Sequence, residues 1–158
     1  TNVVPDSCVI QGTVRTFTFE VLDLIESRMK LIAEHTASAF GATVEFSFRR
    51  NYPPTINHKA ETAFIRGVMT DIVGEAGLLD QEPTMGAEDF AYMLQHTPGA
   101  YVFIGNGDGL HREMGHGGGP CTLHNPSYDF NDDLIPLGAT LWVRLVERWL
   151  SAGTPPSA

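Results

Sequence analysis

Residues 43–55 read TVEFSFRRNYPPT. Val44, Phe46 and Phe48 alternate with polar side chains, and this period of two is typical of a half-buried β-strand. Pro53 and Pro54 come shortly afterwards, and because proline cannot donate to a ladder of backbone hydrogen bonds, the strand must end before them. The stretch therefore predicts a strand that ends at a domain boundary.

The residues before this strand complete a predicted β-α-β unit. Apolar side chains recur at helical spacing from Leu22 to Phe40, with Thr18 placed to cap the helix and Gly41 placed to end it. An alternating stretch over residues 8–15 predicts the first strand. Two strands are too few for a stable sheet, so the unit is expected to pair with further strands.

The rest of the chain is predicted to continue with helices and strands. Helical patterns occur near residues 58–76, from about residue 86, and over residues 134–150. The apolar run of residues 100–104 is typical of a buried strand, and a glycine-rich loop over residues 105–120 follows it. Because α/β sheets bind ligands at the ends of such strands, the pattern predicts an α/β fold with a candidate site near this loop.

The composition excludes several classes of function. The formal net charge is −9, and an acidic chain repels phosphate backbones, so no nucleic-acid partner is expected. No apolar run approaches the roughly 20 residues of a membrane-spanning helix, so no membrane partner is expected either. The sequence has only two cysteines, Cys8 and Cys121, which favours a reducing compartment and a cytoplasmic location.

Histidines in and after the glycine-rich loop are candidate metal ligands. His111, His116, Cys121 and His124 offer the nitrogen and sulfur donors that zinc accepts, but their spacing matches no known zinc finger. His124 stands directly after a short predicted strand, which would fix the direction of its imidazole. Zinc takes at least three protein ligands, so one histidine is not a site by itself, and an ordinary histidine is the alternative.

Two further stretches carry candidate substrate-binding residues. Arg15 lies on the polar face of the first predicted strand, with Asn2 just before it, and arginine is a natural partner for a carboxylate. Met85 and Gly86 begin a turn into a helix whose first residues include two carboxylates. The alternatives are a surface arginine and acidic residues that complement a helix dipole.

Five stretches together resemble the M20 metallopeptidase family. The closest resemblance is to its amidohydrolase branch, typified by hippurate hydrolase, the N-acyl-amino-acid deacylases and the auxin-conjugate hydrolases. The stretches follow the family's order and spacing over nearly the whole chain: residues 2–6 (NVVPD), 12–17 (GTVRTF), 52–55 (YPPT), 85–90 (MGAEDF) and 123–132 (LHNPSYDFND).

The resemblance implies an architecture in two parts. Enzymes of this family have an α/β catalytic domain with a ferredoxin-like lid and dimerisation domain inserted in it. Residues 1–55 resemble the second half of that lid, and residues 56–158 resemble the C-terminal part of the catalytic domain. The family's other metal ligands and its catalytic glutamate belong to a part that this sequence does not include, so no catalytic residue is assigned.

The resemblance also implies roles for particular residues. His124 would be the one retained metal ligand, in a site that holds two zinc or manganese ions in the complete enzyme. Asn2 and Arg15 match lid positions that grip the substrate's carboxylate or the oxygen of the scissile bond. Met85 and Gly86 match a loop beside the substrate cleft. The fragment alone is expected to bind no metal stably, because one imidazole leaves most of the coordination shell to water.

The implied activity is hydrolysis of an N-acyl amino acid, such as hippurate, to a carboxylic acid and an amino acid. The implied assembly is a homodimer joined through the lid, and the isolated chain is expected to be inactive. Two alternatives remain open. One is a non-catalytic dimerisation or binding module derived from such an enzyme, and the other is a structural zinc domain that uses His111, His116, Cys121 and His124.

Overall fold

The computed structural model of the chain describes residues 2–107 and 123–152. The helices in this part of the chain are α1 (Phe19–Ala39), α2 (Lys59–Val73), α3 (Phe90–Leu94) and α4 (Ile135–Ser151), with 3₁₀ turns at Glu75–Gly77 and Asp132–Leu134. The long helices predicted from periodicity, α1, α2 and α4, are confirmed.

The contacts divide the chain into two compact units. Unit 1 consists of the described part of residues 1–56 together with residues 82–97. Unit 2 consists of residues 57–81 together with the described part of residues 98–158. The buried side chains of unit 1 are Leu22, Ala91 and Leu94, and those of unit 2 are Ile65, Val68 and Leu141.

The α/β fold predicted from the sequence is wrong for this structure. The described residues contain helices and 3₁₀ turns but no β-strand, so neither a sheet nor half of a ferredoxin-like lid is present among them. Alternation specifies which side chains share a face, but a strand also needs a neighbour for its backbone hydrogen bonds. In the stretch 8–15, Val9 and Ile10 are 82% and 92% exposed, and no described backbone hydrogen bond joins this stretch to residues 43–49.

The predicted strand at residues 100–104 is replaced by a different arrangement. The Tyr101 backbone N–H donates to Asn57 Oδ1 (2.7 Å), and Asn57 Nδ2 donates to the Tyr101 carbonyl (2.8 Å). The His58 backbone N–H donates to the Gly99 carbonyl (3.0 Å), and the Gly99 N–H donates to His58 Nδ1 (3.2 Å). Side chains therefore satisfy backbone groups that a neighbouring strand would otherwise bind.

The ends of α1 follow from the residues placed there. The Thr18 hydroxyl accepts a hydrogen bond from the Val21 N–H (3.3 Å), which satisfies one of the free donors of the first turn. After the last turn, Gly41 has φ of 71°, a left-handed conformation that glycine adopts without steric cost. Leu22 is the buried residue of the helix.

A cluster of charges connects α1 to residue 50. Arg50 Nη2 lies 2.5 Å from Glu26 Oε2 and 2.7 Å from Asp23 Oδ1. The hydrogen bonds to Glu26 and then to Asp23 raise the pKa of the Arg50 guanidinium. These ion pairs are exposed, so they fix the direction of the Arg50 side chain more than they stabilise the fold.

The cap of α1 gives a direct test of this local structure. We expect Thr18→Ala to lower the free energy of unfolding of the chain by about 1 kcal/mol, because the Val21 N–H at the start of α1 loses its acceptor. Thr18→Ser keeps a hydroxyl and should retain most of the stability. Urea unfolding followed by far-ultraviolet circular dichroism measures both changes.

The matched control for the cap is Thr36→Ala, at an exposed position inside α1. Alanine has the higher helix propensity, so this change should leave the stability equal or slightly raised. Equal losses from the substitutions at Thr18 and Thr36 would contradict the capping role.

Residues 82–97 join unit 1 through α3. Ala91 and Leu94 are buried. The Tyr92 hydroxyl donates a hydrogen bond to the Asn51 carbonyl, and the Tyr92 ring lies 6.0 Å from that of Tyr52. These contacts attach α3 to the segment that precedes the two prolines.

The core of unit 2 forms where α2 packs on α4. The rings of Phe64 and Trp149 meet edge to face with their centroids 5.3 Å apart, an arrangement that aromatic pairs favour. Arg148 Nη1 donates to Asp71 Oδ2 (2.9 Å) at the border of this interface. The buried side chains of the core are Ile65, Val68 and Leu141.

A second apolar face of α4 is exposed in the described structure. Trp142, Val146 and Leu150 are 65%, 53% and 73% exposed, on the side away from Leu141. The sequence of α4 also contains charged residues. None of the described helices combines the length and apolar character needed to span a membrane.

Candidate functional site

His124 lies in a turn that precedes α4, and its side chain is exposed. Its backbone φ is 66°, which makes it the one non-glycine residue with a positive φ in the described part of the chain. This left-handed region costs a side-chain-bearing residue roughly 1 kcal/mol or more, although histidine tolerates it better than most. The surrounding structure must therefore hold the backbone at His124 in place.

The residues directly after His124 form a hydrogen-bonded turn. Asn125 Oδ1 accepts from the Ser127 backbone N–H (3.0 Å) and from the Ser127 hydroxyl (2.6 Å). The Tyr128 N–H donates to the Asn125 carbonyl (2.9 Å). Asparagine in this position builds a turn with its own side chain, and this turn directly follows His124.

A second asparagine fixes the segment between this turn and α4. Asn106 Nδ2 donates to the Asp129 carbonyl (2.8 Å), and the Asn131 N–H donates to Asn106 Oδ1 (2.9 Å). Asn131 in turn accepts at Oδ1 from the Asp133 N–H (3.1 Å), at the start of the 3₁₀ turn before α4. Side chains of three asparagines thus hold the chain between Asn125 and Asp133.

The candidate carboxylate-binding residues lie in unit 1. Arg15 is exposed, and its Nη1 donates to the Thr13 hydroxyl (2.9 Å). Within the described residues no carboxylate lies within ion-pair distance of Arg15, in contrast to Arg50. Asn2 is also exposed. The Arg15 guanidinium therefore keeps donors that can bind an anion.

Met85 and Gly86 lie in the segment that leads into α3. Met85 is 58% exposed. A Cβ atom at Gly86 would come no closer than 3.9 Å to its nearest neighbour, the Thr84 hydroxyl, so packing within unit 1 does not require glycine there.

The predicted site residues belong to different units. His124 is in unit 2, whereas Asn2, Arg15, Met85 and Gly86 are in unit 1. Among the described contacts of unit 1, none is a hydrogen bond that joins any two of its four candidate residues.

The described residues do not by themselves fit a metal centre. No group of three or more histidine, cysteine, aspartate or glutamate side chains comes together among residues 2–107 and 123–152. His124 can donate one imidazole nitrogen, which is fewer than the three protein ligands of a zinc site. The alternative zinc cluster depends on His111, His116 and Cys121, which lie outside the described residues.

Sequence reasoning missed Asn106 and Asn57, which hold backbone segments in unit 2 with paired hydrogen bonds. Asn106 stands between two glycines after an apolar run, a context that indicates only a turn. Asn57 stands just before α2 and could be interpreted as a helix-capping residue. Neither signal indicates which distant segment the amide would bind.

The sequence matches the peptidase family M20/M25/M40 over residues 3–148. The resemblance found in the five stretches is therefore confirmed. Enzymes of this family generally use divalent metal ions.

Three relatives illustrate the match. The chain is 32% identical to IAA-amino acid hydrolase ILR1-like 4 of Arabidopsis thaliana over 94% of its own length and 33% of the relative's. It is 33% identical to a putative amidohydrolase, YhaA, of Bacillus subtilis over 83% of its length and 32% of the relative's. It is 38% identical to the N-acetyl-L-cysteine deacetylase of the same bacterium over 85% of its length and 29% of the relative's.

These relatives are all named as hydrolases, amidohydrolases or deacetylases, and the chain spans about a third of their length. The family match covers nearly the whole of the described chain, including the turn at His124 and most of α4. The chain therefore belongs to the peptidase family M20/M25/M40 of hydrolases.

Proposed function

We propose that this chain is the C-terminal portion of a metal-dependent amidohydrolase that converts N-acyl amino acids, such as hippurate, into a carboxylic acid and an amino acid. The observation that carries the proposal is the geometry at His124. His124 has an exposed imidazole and a left-handed backbone conformation, and a hydrogen-bonded turn fixes the chain after it. Such strain is typical of positions where function dictates the conformation.

His124 would supply one imidazole nitrogen to a site for zinc or manganese, and the remaining ligands would come from outside the described residues. The same reasoning leads us to expect that the isolated chain retains no metal through dialysis and has no activity alone. The catalytic base would likewise come from outside these residues, so the chain's own contribution is one metal donor and part of the substrate-binding surface.

Arg15 and Asn2 would bind the carboxylate of the substrate's amino acid or the oxygen of its scissile bond. The support for Arg15 is that it has no carboxylate within ion-pair distance among the described residues and lies exposed. A planar guanidinium offers two parallel donors to a carboxylate, which gives both orientation and affinity. Met85 and Gly86 would line the cleft beside the substrate, where the absence of a side chain at Gly86 leaves room.

The proposal includes a homodimer formed through residues 1–55 and a cytoplasmic location. The exposed Val9 and Ile10 support the first, because surface of this kind is usually covered in an assembly. The small number of cysteines supports the second.

A chimera tests the proposed function. This chain would replace the matching third of the Bacillus subtilis N-acetyl-L-cysteine deacetylase, the relative with 38% identity. We expect the chimera to hydrolyse N-benzoylglycine or N-acetyl amino acids only when manganese or zinc is supplied. The unmodified relative is the positive control. A folded chimera that binds metal but hydrolyses none of these substrates would refute the proposal and favour a non-catalytic module.

A further inference from the structure

Two asparagine side chains in unit 2 make nearly the same contact with different backbone segments. Asn57 binds both backbone groups of Tyr101 at 2.7 and 2.8 Å. Asn106 binds the Asp129 carbonyl at 2.8 Å and the Asn131 N–H at 2.9 Å. A primary amide has one donor side and one acceptor side, so it can replace a neighbouring strand at one position of the backbone.

The contact made by Asn106 lies on the path between His124 and α4. The turn of residues 125–128 holds the chain directly after His124, and the Asn106 amide holds the segment of residues 129–131 directly after that turn. Asn131 then caps the 3₁₀ turn that starts α4. Without the two hydrogen bonds of Asn106, the C-terminal end of the turn would lose this support where the chain continues toward α4.

Aromatic packing supports the same segment. The rings of Tyr128 and Phe130 meet edge to face with centroids 5.0 Å apart. Gly107, which follows Asn106, has φ of 81°, a left-handed conformation that glycine adopts without steric cost.

We propose that Asn106 is a positioning residue for His124. By holding residues 129–131 with two hydrogen bonds, it keeps the turn in place and so maintains the left-handed backbone at His124 that aims the imidazole. This inference rests on the proposed function for its importance to catalysis, but the positioning itself concerns residues of this chain alone.

The test compares Asn106→Ala with Asn57→Ala, since each removes an amide that binds a backbone N–H and a backbone carbonyl of unit 2 at similar distances. Nuclear Overhauser spectra of the isolated chain report the sign of φ. A residue with positive φ has a short distance between its own amide and α protons, and the cross-peak between these two protons is therefore unusually strong. We expect Asn106→Ala to weaken this cross-peak at His124 by roughly twofold or more, as the left-handed state loses population. Asn57→Ala should leave it unchanged.

Asn106→Asp is the second variant, for the case in which Asn106→Ala unfolds unit 2. The carboxylate can still accept from the Asn131 N–H but cannot donate to the Asp129 carbonyl, so it should produce a smaller loss in the same direction. An unchanged cross-peak in both Asn106 variants, or an equal loss in Asn57→Ala, would overturn the proposal.

The chimera separates this inference from the proposed function. If His124 is a metal ligand, Asn106→Ala should weaken metal binding by about 10- to 100-fold, the usual effect of groups that orient a ligand. Loss of the cross-peak without any effect on metal binding or turnover would leave the positioning intact and refute the ligand role. Normal metal binding together with an unchanged cross-peak would refute the positioning.

Discussion

Replacing His124 with glycine should reduce turnover of the active chimera by more than about 100-fold and lower its metal content. Loss of a group that merely orients a metal ligand already costs about 10- to 100-fold, so loss of the ligand itself should cost more. Glycine is the informative substitution because His124 has φ of 66°, which glycine adopts without strain. The fold should therefore survive while the imidazole is lost.

Two measurements distinguish loss of the ligand from loss of the fold. The free energy of unfolding of the glycine variant should change by less than about 1 kcal/mol, since the relieved strain offsets the greater flexibility of the unfolded chain. Added imidazole should restore part of the activity, because it can occupy the space and coordinate in place of the side chain. Elemental analysis gives the metal content of both proteins.

The control for His124 is His35→Ala, at an exposed position on α1. This variant should keep the metal content and turnover of the chimera. A His124→Gly chimera that keeps its metal and its turnover would show that His124 is not a ligand, and the proposed function would then lose its only metal donor among the described residues.

The parts of the fold that could be predicted from the sequence are those whose hydrogen bonds are local. α1 satisfies its own backbone groups between residues four apart, and the Thr18 hydroxyl and Gly41 define its ends within the same stretch. Its apolar period needs only one surface to pack against. The sequence from residue 18 to residue 41 therefore contains nearly all the information that the helix requires.

The predicted strands failed because their hydrogen bonds depend on distant residues. The alternation of Val44, Phe46 and Phe48 brings the rings of Phe46 and Phe48 together at 6.3 Å, as a shared face requires. It does not provide a neighbouring strand, and the described residues do not supply one. Within residues 100–104, the backbone groups of Tyr101 bind the side chain of Asn57, more than forty residues earlier in the chain, and no local pattern indicates that pairing.

In the candidate site, too, features set by one stretch of sequence could be predicted, and features set by contacts between distant segments could not. The motif of residues 123–132 indicated the family, which is confirmed, because the order of residue types in one stretch carries that information. The role of His124 as a metal ligand stays a prediction. The hydrogen bonds between Asn106 and residues 129–131 could not be predicted, because they join segments that are separated in the sequence.

The second large effect is expected at Arg15. In the chimera, Arg15→Ala should reduce kcat/KM for N-benzoylglycine by roughly 10- to 150-fold, equivalent to about 1.5–3 kcal/mol for a charge-assisted hydrogen bond that is shielded from water. The main effect should be on KM, because a grip on the carboxylate is shared by the ground state and the transition state. Metal content should stay normal, since Arg15 donates hydrogen bonds and coordinates no metal.

The control for charge is Arg28→Ala, which removes another exposed arginine from unit 1, on α1. It should change kcat/KM by less than about twofold, because an exposed charge that does not contact the substrate acts only through a screened field. Arg15→Lys keeps the charge but loses the planar pair of donors, so it should recover only part of the activity.

A change in the substrate shows whether Arg15 contacts the carboxylate itself. The carboxamide of N-benzoylglycine lacks the charge that Arg15 would bind. The chimera with Arg15 intact should therefore hydrolyse this substrate with a kcat/KM that is reduced by most of the factor expected for Arg15→Ala. Arg15→Ala should then cause little further loss, because the interaction has already been removed from the other side. If the two losses instead multiply in full, Arg15 and the carboxylate do not interact, and the carboxylate of the substrate must be bound by another donor.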